Sequence, residues 1–226
     1  MSESLETAHI AVGPIERVLN LLVCFQSRTD GLSLTELARL TDLAPSTTAR
    51  LLKVLERYQF VRRDADRLYR LGPQVIQLGL GALRDMSLYD VARPHLRVLA
   101  EETGESVHLG IPGGEGNVLY VDQVSSRHTV QTATWVGRTV PIAETAIGMA
   151  LLGQVLSDGY ISSRHTVEPD VSSVAAPIFD KNNGIIGAIN VIGPSYRISD
   201  QQLVQFGLRI VEHTRQISNK LGASLL

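Results

Sequence analysis

The sequence predicts an α+β chain: an N-terminal winged helix-turn-helix, then a larger domain of antiparallel sheet flanked by helices. Three observations carry this. A helical pair broken by a proline and followed by two short basic strands fills Ser33–Gly72. From about Leu88 onward, apolar runs alternate and are separated by glycine-rich turns, the pattern of antiparallel strands. With 226 residues, 44% of them hydrophobic and 19% charged, the chain can build two such cores.

The elements follow in order. Residues 1–13 read as a flexible tail, 14–72 as the winged helix, 73–87 as a linker helix and 88–226 as the second domain. "GPIERVLNLLVCFQ" is an amphipathic helix, expected to turn Ile15, Val18, Leu19, Leu22 and Val23 under the helix-turn-helix. Cys24, inside this apolar run, reads as a buried structural thiol. As the chain's one cysteine it excludes an internal disulfide and a cysteine-based zinc cluster. Ser33 or Thr35 caps a short helix resting on Leu37, Ala38 and Leu40. "TDLAPS" ends it, because Pro45 fits the first turn of a new helix but not the middle of a continuous one. That new helix runs to about Tyr58, with Leu51, Leu52, Val54 and Leu55 as its apolar face. "FVRRD" and "RLYRLG" are then two strands around the polar turn "DADR", a wing.

Charge is informative only locally. The net charge is −2, yet Pro45–Arg70 holds seven basic residues against three acidic ones. A helix entering a major groove offers hydroxyls and cations near its N-terminus, and a basic wing meets phosphates. The expected contacts to double-stranded DNA are therefore Ser46, Thr47, Thr48, Arg50 and Lys53 on the helix, with Arg62, Arg63 and Arg67 around the wing.

After the linker helix "PQVIQLGLGALRDM", a helix on Leu96, Leu99 and Ala100 ends at Gly104. Glu101, Glu102 and Glu105 at its end read as a solvated cluster. Strands are expected at "SVHLGI", "NVLYVDQV" and "VQTATWVG", a helix at "AETAIGMALLGQVL", and strands again at "VSSVAAPIFD" and "GIIGAINVIG", joined by the turn "KNNG". A final helix starts at Ser199 or Asp200. The hexapeptide "SSRHTV" occurs at 125–130 and at 162–167, the second copy in an expected loop. The flanks differ, and His128 and His165 lack a Cys or HxxxH partner, so no metal is expected and the repeat reads as coincidence. There is no G-x-S-x-G elbow, HExxH or Cys-His pairing, so neither an enzyme nor a cofactor is expected. Without a transmembrane-length apolar run or a signal-peptide h-region, the expectation is a cytoplasmic protein with no membrane partner.

"LTELARLTDLAPSTTARLLKVLERYQFVRRD" with "YRLGPQVIQLG" resembles the winged-helix domain of the IclR family of bacterial transcriptional regulators. Ser46, Thr47, Arg50, Leu51, Leu52, Leu55, Tyr69, Leu71 and Gly72 match its pattern. Asp42 departs from it, since the family's turn has glycine there, but aspartate tolerates a left-handed backbone. "VGRTVPIAETAIGMALLG", "VAAPIFD" and "GAINVIGP" are similar to the family's effector-binding domain, a GAF-like curved antiparallel sheet flanked by helices. The likeness covers nearly all of the chain after the first dozen residues. It breaks between Leu156 and Gly159, where the family carries a longer helical insert.

The resemblance implies a ligand-responsive regulator that binds a pseudo-palindromic operator as a homodimer or homotetramer, paired through the first helix and the linker helix. It also implies a small organic acid or aromatic effector. In the family the effector lies against the helix start, here near Thr145, where the amides of Ala146, Ile147 and Gly148 could hold a carboxylate. It faces "INVIG", where Asn190 and Ile192 stand at positions often serine in relatives, with Pro177 on the strand opposite. Trp135 is a candidate aromatic wall, and Glu144 would oppose a second negative charge. The expected ligand is small, aromatic or apolar, with at most one carboxylate. Two alternatives stay open: a second domain that only oligomerises, and a small-molecule enzyme.

Overall fold

The computed structural model describes residues 13–26, 30–128, 134–164 and 170–224. The chain divides into two compact units, Met1–Ala82 and Leu83–Leu226. The first holds α1 (Pro14–Val23), α2 (Leu34–Leu40), α3 (Pro45–Arg57), the wing strands β1 (Val61–Arg63) and β2 (Tyr69–Leu71), and most of α4 (Pro73–Asp85).

Local chemistry fixes the helix-turn-helix. Ser33 Oγ accepts from the Glu36 amide at 3.2 Å while the Glu36 carboxylate accepts from the Ser33 amide at 2.9 Å, a capping box that starts α2. Asp42 takes a left-handed φ of 52°, as the turn requires, and Pro45 opens α3. Leu21, Phe25, Leu32, Leu37, Leu52, Leu55, Val61 and Tyr69 form the core. Cys24 is half-buried against it, its thiol donating to the Asn20 carbonyl at 3.2 Å.

Three faces differ from expectation, the first on α2, where Leu37 and Ala38 are buried but Leu40 is exposed. On α1, Leu21 is the fully buried residue, with Val18 and Leu22 beside it, whereas Ile15, Leu19 and Val23 point outward and are each more than half exposed. The helix has two apolar stripes, and the one at Val18, Leu21 and Phe25 won. On α3 the inward row is Thr48, Leu52 and Leu55, and Val54 lies outside.

The second unit is a six-stranded antiparallel sheet in the order β5-β4-β3-β8-β7-β6. Its strands are β3 (Ser106–Pro112), β4 (Asn117–Val124), β5 (Thr139–Pro141), β6 (Ile161–Arg164), β7 (Val171–Phe179) and β8 (Ile185–Pro194). The helices are α5 (Ser87–Thr103), α6 (Ala146–Leu151) after a 3-10 turn at Ile142–Glu144, and α7 (Asp200–Lys220).

Strand parity sorts the side chains. Val107, Leu109, Val174, Ala176, Ile178, Ile189 and Val191 share a core with Leu96 and Leu99 of α5 and Ile210 and Ile217 of α7. The alternate residues Val118, Tyr120, Ala175 and Ala188 face Ala146, Ile147 and Ala150 of α6. The register places His108 opposite Asn190, Asn190 opposite Ala175, and Ser173 opposite Ile192.

Several expectations need correction. Among the described residues 134–137 there is no strand, and the pairing segment is β5. The helix expected at 143–156 is only α6, after which a turn closes through hydrogen bonds between Leu156 and Tyr160 at 3.0 Å and between Gly159 and Leu156 at 2.9 Å. Where a loop was expected, Ser162–Arg164 belong to strand β6, while Ser125–His128 lie outside any strand. The two hexapeptides therefore differ in structure as well as in their flanks. His165 lies outside the described residues. Glu105 is not solvated: it is buried and takes two hydrogen bonds from Arg197, each of 2.6 Å.

Candidate functional site

On the first unit, Ser46, Arg50 and Lys53 are exposed along α3, and Thr47 is half-buried beside them. Arg57, one turn after Lys53, is exposed on the same side. These residues recur every three or four positions, so they form one outward row. Thr48 does not join it: its side chain is fully buried and its hydroxyl donates to the Ala44 carbonyl at 3.2 Å. Thr48, expected among the DNA contacts, therefore lies inside the core and not on this outward row.

Arg62, Arg63 and Arg67 are exposed around the wing. Arg63 stacks over Tyr69, 5.4 Å from the ring centre, and donates to the Arg67 carbonyl at 3.2 Å. Arg67 itself takes a left-handed φ of 63°. Asp64 is spoken for by Arg70 at 2.8 Å, which holds its carboxyl below the usual range, so it does not cancel the outer arginines.

The second unit contains a narrow cavity of about 30 Å³ between the sheet and α6. That is room for a water or two. One wall is aromatic: His108 meets Tyr120 edge-on at 5.3 Å, and Tyr120 meets Trp135 at 5.9 Å. Val140, Ile147, Val171 and Ile192 make the apolar lining. Ser163 and Ser173 face in beside Asn190, whose amide donates to Ser173 Oγ at 3.2 Å.

Of the residues expected around a ligand, the fold brings Trp135, Thr145, Ala146, Ile147, Asn190 and Ile192 together on this cavity. Pro177 is not there. It pairs with Ala188 farther along β7, and the residue opposite Asn190 is Ala175, with Ser173 reaching the cavity instead. Thr145 caps α6 by accepting the Gly148 amide on Oγ1 at 3.0 Å, which takes that amide out of play and leaves those of Ala146 and Ile147 in the first turn. Glu144 is exposed.

His108, Tyr120, Ser163 and Ser173 were missed in the sequence. The signal for the first two was there, since His108 interrupts the apolar run "SVHLGI" and Tyr120 sits at an inward parity. Burial pushes the His108 ring down to about 4 and the Tyr120 phenol up to about 12, so both are neutral at physiological pH. Asn190 and Gln123 stand close enough to hydrogen-bond the ring and pull the other way, but no contact at either ring nitrogen or at Asn190 Oδ1 has the geometry of a well-formed hydrogen bond within the protein.

Family models match both units. The IclR helix-turn-helix domain matches residues 14–65, and the bacterial transcriptional regulator IclR C-terminal domain matches residues 80–155 and 150–219. The chain belongs to the IclR family. Its architecture is thus that of a transcriptional regulator with a DNA-binding helix-turn-helix and an effector-binding domain. Among curated relatives, the regulator BhcR of Paracoccus denitrificans is 28% identical, covering 90% of this chain and 85% of its own. The transcriptional repressor IclR of Escherichia coli is 24% identical, over 93% and 90%. An IclR homolog from Microbacterium hydrocarbonoxydans, complexed with 4-hydroxybenzoate, has the same fold, with a TM-score of 0.78 at 19% identity over 92% of this chain and 98% of that one. The IclR-family match to the C-terminal domain falls in two pieces that meet at 150–155, just before the short 156–160 turn. No helix among the described residues is long and apolar enough to cross a membrane.

Proposed function

We propose that this IclR-family regulator binds a pseudo-palindromic operator as a homodimer or dimer of dimers and responds to a small, mainly aromatic or apolar ligand with at most one carboxylate. For DNA, the supporting observation is the outward row Ser46, Thr47, Arg50 and Lys53 beside Arg62, Arg63 and Arg67. The helix row reads base edges and the wing holds phosphates.

The ligand reading rests on the cavity. Its walls are Trp135, Tyr120, Ile147 and Ile192, and no Lys or Arg lines it among the described residues, which disfavours a compact diacid. The first-turn amides of Ala146 and Ile147 can take one ligand oxygen. The structural neighbour's 4-hydroxybenzoate is a ligand of this general type. At about 30 Å³ the cavity must widen for a ring to enter. Domain boundaries at 14–72, 73–87 and 88–226 suit this division of labour.

The test is a gel-shift titration on the upstream region of its own gene, with benzoate or glyoxylate added. Specific retardation relieved or enhanced by benzoate is expected. Equal retardation by the Arg50, Arg62, Arg63 and Arg67 quadruple alanine variant would remove the DNA reading, and a response to glyoxylate alone would remove the ligand reading.

A further inference from the structure

We propose that the cavity selects its ligand through a neutral hydroxyl group, which bridges the His108 ring and the Asn190 amide. This deepens the effector-site reading above and rests on it.

The starting point is a deficit. His108 and Asn190 are each about 98% buried or more and stand directly opposite across β3 and β8. Neither His108 nitrogen nor Asn190 Oδ1 has a well-formed hydrogen bond within the protein, although the Asn190 amide nitrogen is used by Ser173. Leaving such atoms unmatched in an apolar site is costly, so whatever fills the cavity, a water or a ligand group, has to pair with them. Both side chains line the cavity, so a ligand that displaces water has to replace those hydrogen bonds.

The deficit has a definite chemistry. A neutral imidazole offers one N–H and one lone pair, and the free amide oxygen offers an acceptor. A hydroxyl is the smallest group that donates and accepts at once, so it can take the imidazole N–H while donating to Asn190. It also serves if the amide is rotated and presents its nitrogen. A carboxylate only accepts, so it could meet both residues only with the amide rotated, and its buried charge would have no lining cation to offset it. An ammonium could donate to both residues but would be buried without a counter-charge, since no Asp or Glu lines the cavity among the described residues. The aromatic wall of Tyr120 and Trp135 then carries the body of the ligand.

Trp135 is the chain's one tryptophan and lies on this wall, so its emission reports on occupancy. The experiment titrates the full chain with two matched pairs, phenol against fluorobenzene and 4-hydroxybenzoate against 4-fluorobenzoate. It follows Trp135 emission at the red edge of the indole band and confirms affinities by calorimetry. Fluorine keeps the size but removes the donor. The hydroxyl member of each pair should bind about tenfold tighter or more. His108→Phe and Asn190→Leu should each collapse that ratio towards one, whatever they do to the absolute affinity of either member of a pair. Should either variant fail to fold, the native ratios decide alone. Saturable binding of both members with equal affinity would overturn the hydroxyl proposal and leave the effector cavity standing. If no probe moves Trp135, the cavity reading falls with it.

Discussion

His108 gives the C-terminal unit a pH dependence of definite sign. Its ring is held near 4 by burial, against about 6.5 in an unfolded chain, so the unfolded state binds the proton more readily. The stability tied to the neutral ring is complete above pH 6.5 and drains away as the pH falls through 4. The difference is worth about 3 kcal/mol by linkage. His95 adds in the same direction, lowered by burial and then by Lys220 and His213. Chemical denaturation at pH 7 and pH 4.5 should show a smaller drop in His108→Phe than in the native protein, and an equal drop would mean that the ring is not buried neutral. A second residue-scale expectation concerns Glu105, whose carboxylate is buried under a bidentate Arg197. Arg197→Ala leaves that charge uncompensated and should lower stability by about 3–5 kcal/mol. A loss below 1 kcal/mol in a urea melt would contradict the pairing.

At the scale of elements, α6 sets the cavity's depth through closeness to its neighbours. A Cβ on Gly148 would run into the Ile142 carbonyl, and one on Gly110 would meet Ile147 Cδ1 at 2.6 Å. Gly148→Ala must push the 3-10 turn from α6, which should cost about 1–3 kcal/mol and weaken ligand binding more than a surface change of the same size. Thermal melts and calorimetry on that variant check both, and native-like values would show that the turn yields freely. These elements also show what the sequence could and could not reveal. β3, β7 and β8 were legible because a period of two with apolar residues leaves one solution. β6 was not, because "ISSR" is short and polar and shows no such period. The face of α1 was ambiguous because Ile15, Leu19 and Val23 are as apolar as the stripe that packs. Thr48 was misplaced because a threonine that bonds back to its own helix carbonyl can sit in a core. Pro177 failed on register: which residue of β7 stands beside Asn190 depends on pairing that no single strand encodes.

For the whole molecule, the open question is what covers the apolar surface that the chain's own fold leaves bare. Ile15, Leu19 and Val23 on α1, with Ile76, Leu78 and Leu80 on α4, are all more than half exposed, and no residue of α4 is buried. Ile76 and Leu80 lie one turn apart, so α4 too presents a stripe. Soluble domains rarely carry two such stripes uncovered, and the homodimer and pseudo-palindromic operator proposed above would supply a second copy of the chain as the cover. We predict that the Leu19→Glu, Ile76→Glu double variant sediments as a monomer at micromolar concentration, where the native chain is a dimer or larger. Each monomer would then meet one half-site alone, without the effective concentration that the partner supplies. Operator affinity should therefore fall by about a hundredfold or more while each winged helix stays folded. The salt dependence separates this from a damaged contact surface: fewer phosphates neutralised per bound particle means a slope about half the native one. A double variant that stays dimeric, or a monomer with native affinity and slope, would show that these stripes do not join the subunits.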